Sequence, residues 1–199
     1  MRRNPALKFT STDRATWSFR SMLSQDLKPI GFSTWEKESW EDYRARISVP
    51  VDEAMLEFYR QVVYDHFEHF NDHYPEFDLR DYDVRVEYLT AEQAYDQVKF
   101  FNNKPVTDWG SQYDEFKKRN QDYFIYQRMS RDLTPPFPPI VIQSTLLADR
   151  GWRVYGRDIH LIEGTHRVGY LRRMLELGEI TPESVHKFVV LRPRPSGAA

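Results

Sequence analysis

Glu163-Gly164-Thr165-His166-Arg167 sets a carboxyl group, a residue without a side chain, a hydroxyl, an imidazole and a guanidinium next to one another. Together these groups suit the capture of an anion. The apolar run 159–162 before them, interrupted by His160, reads as a strand. After them, Val168, Leu171, Met174, Leu175 and Leu177 fall largely on one side of a helix. A helix starting near Thr165 or His166 leaves its first four backbone N–H groups without intrahelical partners, and such groups attract phosphate. Gly164 leaves room for close approach. Thr165 caps the helix or touches the ligand. Arg167 offers a bidentate fork. His166 donates to a phosphate oxygen or moves a proton near neutral pH. Glu163 orients Arg167 or His166, or accepts a proton itself. A simpler reading of the same residues is a turn glycine, a capping threonine and a surface Glu163–Arg167 pair.

A second cluster is His66, His69 and His73, spaced i, i+3 and i+7. On a helix they share a face, with Asp65, Glu68 or Asp72 able to orient them or add an oxygen ligand. However, His66 also belongs to an apolar stripe, and the metalloprotease spacing with glutamate directly after the first histidine is missing. We therefore expect no metal here. Arg128, Arg131, Arg150, Arg153 and Arg157 either add positive charge around the glycine loop or form a solvated face. The tryptophans, Trp17, Trp35, Trp40, Trp109 and Trp152, read as core.

These groups sit in a chain of 199 residues with formal charge −2, 40% hydrophobic and 15% aromatic residues, and no cysteine. That length suits one well-buried domain with an appendage. The aromatic content argues against disorder through most of the chain. Without cysteine, disulfides, thiol catalysis and thiolate metal sites are excluded. The balanced charge gives no global field for nucleic acid, so a nucleic-acid partner is not favoured. The basic N-terminus lacks the apolar core of a secretory signal and no apolar run is long enough to span a bilayer, so a cytoplasmic protein is expected.

The elements that must position the loop follow from pattern. A short helix is expected near Trp17–Leu23, another over 33–46, and a third over the run from Val51 to Tyr74, with a wide apolar stripe and a stop at Pro75. Alternation predicts a strand over 82–89, and Thr90 with Gln93 a capping box opening a helix over 91–100. A helix over 111–129 precedes Pro135-Pro136-Phe137-Pro138-Pro139, a rigid lead-in to a strand near 139–142. Trp152–Tyr155 and 159–162 read as a hairpin joined by Gly156-Arg157-Asp158. Helix 166–177 ends at Gly178, and 187–191 forms a last strand. The expected organisation is a mainly helical region 1–81 packed on an α+β domain 82–191, with a flexible tail 192–199.

The order of elements from Pro139 to Leu191, with Glu163–Arg167 between strand and helix, resembles the ParB/sulfiredoxin superfamily. The resemblance spans roughly residues 82–191, and its specific part is 159–178. It implies an α+β fold around a small mixed sheet. Sulfiredoxins carry a cysteine in this loop, which this chain lacks, so peroxiredoxin repair is ruled out. The chromosome-partition branch binds a nucleoside triphosphate through a Gly-Glu-Arg-Arg-like loop. Here Thr165 and His166 stand at the corresponding places, and with eight residues after the last strand no DNA-binding domain is expected after the core. The loop is closer to that of small kinases that phosphorylate free serine. By that resemblance Gly164, Thr165, His166 and Arg167 hold the phosphates of ATP or another nucleoside triphosphate with Mg2+, and Glu163 takes the place of the leading acid. The resemblance also puts a general base on the opening strand or helix, where Glu87 and Glu92 are the candidates. It leaves open a phosphotransferase acting on a small molecule, a non-catalytic nucleotide- or nucleic-acid-binding regulator, and an interaction module that meets a protein partner through its N-terminal helical region.

Overall fold

A computed structural model describes residues 25–31, 36–48, 52–74, 77–143 and 159–194. The helix expected near Trp17–Leu23, Trp35, and most of the hairpin 152–162 with Arg150, Arg153 and Arg157 lie outside the described residues. The described chain has an α+β fold built on a five-stranded mixed sheet. The strands are β1 (Tyr82–Thr90), β2 (Val98–Lys99), β3 (Ile140–Gln143), β4 (Ile159–Glu163) and β5 (Val185–Pro193), in the order β1-β5-β3-β4-β2. β5 runs antiparallel to β1 and parallel to β3; β4 runs antiparallel to β3 and parallel to β2.

Alternation along the central strands divides the core in two. Ile140, Ile142, Ile162, Val189 and Leu191 face the aromatic side chains of the N-terminal helices, including Tyr43, Phe58, Phe70 and Phe77. Val141, Leu161, Phe188 and Val190 face the opposite way, onto Tyr113, Met129, Val168, Leu171 and Met174. The sheet is therefore covered on both faces, as strands buried on both sides require.

On the first face lie α1 (Trp40–Ile47), α2 (Glu53–Phe58), a π-helical stretch Tyr59–Tyr64 and α3 (Phe67–His73). Asp52 caps α2 by accepting from the Met55 N–H. The single helix expected from Val51 instead runs from α2 straight into the π-helical stretch and breaks once, at His66, before α3. In the widened turn the Asp65 N–H donates to the Arg60 carbonyl at 3.1 Å, five residues back. His66, at φ −132°, then leaves helical geometry before α3 begins.

On the second face lie α4 (Ala91–Gln97), α5 (Lys104–Arg119), α6 (Phe124–Asp132) and α7 (Thr165–Glu176). The Thr90–Gln93 capping box is present. The helix expected over 111–129 is two helices instead. α5 starts at Lys104 with Pro105 in its first turn, where a missing N–H does no harm. Asn120, left-handed at φ 49°, ends it. The tail also begins later than expected: β5 continues to Pro193, and the Arg194 N–H donates to the Asp81 carbonyl at 2.8 Å. No helix among the described residues is long and apolar enough to cross a membrane.

Candidate functional site

The strand-to-helix turn forms at the expected residues. β4 ends at Glu163, and Gly164 is the N-cap of α7 with φ 110°. That left-handed conformation favours glycine. The N-cap position falls on Gly164, which has no side chain to cap with, so Thr165 is the first helical residue of α7 and not its cap. Among the described residues no hydrogen bond engages the N–H groups of Thr165, His166 or Arg167. A left-handed residue followed by right-handed ones turns successive N–H groups toward one point, a concavity suited to an anion.

These residues open onto a cavity of about 310 Å³. Residues 163–167 make one wall. Gln61, Asp65 and His66, delivered by the π-helical stretch and the break after it, make another, and Ile125 and Phe137 complete the lining. In a straight α-helix Gln61 and Asp65, four residues apart, would share a face, but His66, five residues from Gln61, would point to a different side. The widened turn is the local device that brings Gln61 and His66 to the same cavity.

Arg167 departs from the expectation of a solvent-facing fork. Its guanidinium is turned into the protein and the residue is 6% exposed. Nη1 donates to Gln61 Oε1 at 2.5 Å and to the Phe137 and Pro138 carbonyls at 3.2 and 3.4 Å. Nη2 donates to Glu163 Oε1 at 3.2 Å. Gln61 is itself fixed, its Nε2 donating to Glu57 and to the Pro138 carbonyl. Burial lowers the tendency of Arg167 to hold its proton, and the Glu163 and Glu57 carboxylates oppose that. The guanidinium therefore acts from behind the loop, as a clamp and a source of positive field.

Gly164 is explained by the same contact. A Cβ there would lie 3.0 Å from Arg167 Nη2 and 3.0 Å from Pro139 Cβ. The space a side chain would need is filled by the clamp, not held open for a ligand.

His166 lines the cavity with its ring against Trp109, and its Nδ1 lies 2.7 Å from the Tyr123 hydroxyl. Burial, then the Arg167 charge, push it down to about 4. At neutral pH it is an uncharged imidazole, able to give a hydrogen bond but not a positive charge. Glu163 turns its second oxygen toward His66 Nε2 at 3.7 Å.

The two acidic candidates outside the loop are not brought to it. Glu87 lies on β1, which is separated from β4 by β5 and β3. It forms a two-pronged pair with Arg192, at 2.5 and 2.7 Å, which holds its carboxyl below the usual range. Glu92 is exposed on the first turn of α4, its N–H donating to the Pro182 carbonyl. Neither lines the cavity. A position on the opening strand or helix says nothing about which sheet edge that strand occupies.

Among the three histidines, His66 faces Glu163, while His73 Nδ1 donates to the His69 carbonyl and their rings lie 4.1 Å apart. Arg128 and Arg131 pair with Asp132. Sequence reading missed Gln61 and Phe137 as parts of the site. No local signal marks either: Gln61 meets Arg167 across 106 positions.

Comparison of the chain with family models, with curated proteins and with solved structures gave no match.

Proposed function

We propose that the cavity beside residues 163–167 holds the phosphates of a nucleoside triphosphate, and that the protein is a ParB/sulfiredoxin-like phosphotransferase acting on a small molecule. The observation that carries this reading is the uncapped N-terminus of α7, opening behind a left-handed glycine onto a cavity of about 310 Å³. The amides of Thr165, His166 and Arg167 supply donors, and the buried Arg167 supplies positive field without touching the ligand. His166 supplies a neutral donor. Asp65, whose Oδ1 also accepts from Lys37 Nζ at 3.3 Å, would be the carboxylate to hold magnesium, which takes oxygen donors and binds through one or two carboxylates plus phosphates. Magnesium, when bound, neutralises charge on the phosphates.

In this reading Glu163 takes the proton: as an acceptor hydroxyl attacks the terminal phosphorus, its proton passes to Glu163 while the bond to the bridging oxygen breaks and the nucleoside diphosphate leaves. Arg167 holds one Glu163 oxygen, which fixes the direction of the other.

A second reading is a non-catalytic nucleotide- or nucleic-acid-binding regulator. It is favoured by the absence of Glu87 and Glu92 from the cavity lining. Calorimetric titration with ATP, CTP and GTP, with and without magnesium, followed by 31P NMR with small hydroxyl acceptors, separates the readings. Binding with transfer supports the enzyme, and binding alone supports the regulator. If no nucleotide binds at about 1 mM, a binding free energy weaker than roughly −4 kcal/mol, and no nucleic acid shifts the protein in a gel, both fail. The interaction-module reading then takes their place.

A further inference from the structure

A second cavity, of about 380 Å³, lies on the other side of α7, between it, α4 and α5. It shares no lining residue with the cavity beside the loop. Its floor is backbone. Gly110 of α5 and Gly169 of α7 meet so closely that a Cβ on Gly169 would fall 2.5 Å from the Val106 carbonyl oxygen and 3.0 Å from the Gly110 nitrogen.

Charge in this cavity is unevenly satisfied. Arg173 is fully engaged: Asp114 accepts from its Nε at 3.0 and 2.9 Å, and Glu176 accepts from its Nη1 at 2.9 Å. The remaining Glu176 oxygen accepts from the Tyr95 hydroxyl at 3.3 Å. Both carboxylates that line the cavity are thereby occupied, and two further cations remain. Lys99, on β2, forms no ion pair or hydrogen bond through its ammonium among the described residues. Arg172 lies over the Tyr95 ring at 5.6 Å, and its Nη2 donates to the Val98 carbonyl. Its Nε is buried with no partner. Glu176 and Asp96 are near enough to favour its charge, but neither pairs with it.

A guanidinium that no carboxylate pairs with among the described residues, lining the same cavity as an unpaired ammonium, leaves positive charge that an anion completes. From this we infer that the cavity between α4, α5 and α7 is a second ligand site, for a small molecule whose carboxylate or phosphate bridges Lys99 and Arg172. The cavity is larger than a bare ion needs and lies within the size range of small-molecule sites. The rest of the molecule rests on the glycine floor, and its polar groups meet Asp114 and Glu176 at the rim.

The test is a site-resolved titration of the full chain, 15N-labelled, with inorganic phosphate and separately with succinate. One or both anions should move the amide signals of Lys99, Gly110 and Gly169 saturably, with half-saturation below about 1 mM. The tighter of the two identifies the phosphate or the carboxylate source. Lys99→Ala, checked for an unchanged thermal midpoint, should weaken this response by about tenfold, the scale of one hydrogen bond to a charged group, and Lys99→Arg should restore it. The inference is overturned if these amides show no saturable change up to about 10 mM, or if Lys99→Ala leaves the half-saturation point unmoved. Phosphate and succinate that both leave these amides unmoved while phosphate shifts those of 164–167 would overturn it as well, and would leave the loop site standing.

Discussion

Arg167 brings a charge to a place where water barely reaches it, and four acceptors receive it. Removing the guanidinium leaves Gln61 Oε1, the Phe137 carbonyl and a partly buried carboxylate without their donor, while the Pro138 carbonyl keeps its bond from Gln61 Nε2. Breaking a buried ion pair from one side costs about 3–5 kcal/mol, and Glu163 is 30% exposed, so Arg167→Ala should fall near the lower end, at about 3 kcal/mol in urea unfolding. A surface pair would change stability by about 1 kcal/mol at most. Two histidines make stability depend on pH. His160, with its Nε2 2.8 Å from the Tyr74 hydroxyl, and His166 are both pushed down to about 4 by burial. Between their ordinary value of 6.5 and about 4, the unfolded chain binds more protons than the folded one. Stability is therefore complete above about pH 6.5, falls as pH drops through that window and changes no further through these groups below about 4. Urea midpoints measured across it should show the fall, and His160→Gln should flatten part of it. A wild-type profile with no slope there would refute the assignment.

At the scale of elements, two glycines hold the second helical layer in place for different reasons. Gly164 needs its φ of 110° and the room that Arg167 and Pro139 fill, whereas Gly169 permits the close crossing of α5 and α7. Gly164→Ala should cost about 1–3 kcal/mol from left-handed strain and crowding. Gly169→Ala forces apart two helices at a backbone contact, at a cost of about 1–3 kcal/mol by thermal unfolding. These elements also mark what was legible in the sequence. The β4–loop–α7 unit and the Thr90–Gln93 box were readable because each depends on residues a few positions apart. The π-helical turn was not, because its apolar stripe keeps helical spacing on either side of the widened turn. The break at Asn120 was hidden by continuous helical periodicity, and the early start of α5 by Pro105, a residue that interrupts a helix everywhere but in its first turn. The inward course of Arg167 was invisible for another reason: its partners Gln61, Phe137 and Pro138 lie 106, 30 and 29 positions away.

Across the whole molecule, the sheet is the plate that brings two layers to one site. The N-terminal helices on one face supply Gln61, Asp65 and His66, and α7 with its preceding loop supplies the amides. The cavity thus needs both halves of the chain, a dependence that the division at residue 81 did not anticipate. The central claim is that the amides at the start of α7 grip the phosphates of a nucleotide. It is tested most directly by following the amide signals of the 15N-labelled protein as ATP is added, with and without magnesium. The expected result is a saturable 1:1 response centred on Gly164, Thr165, His166 and Arg167, tightened by magnesium and half-complete below about 1 mM. No saturable movement of those four signals at millimolar ATP, with magnesium or without it, would contradict the claim.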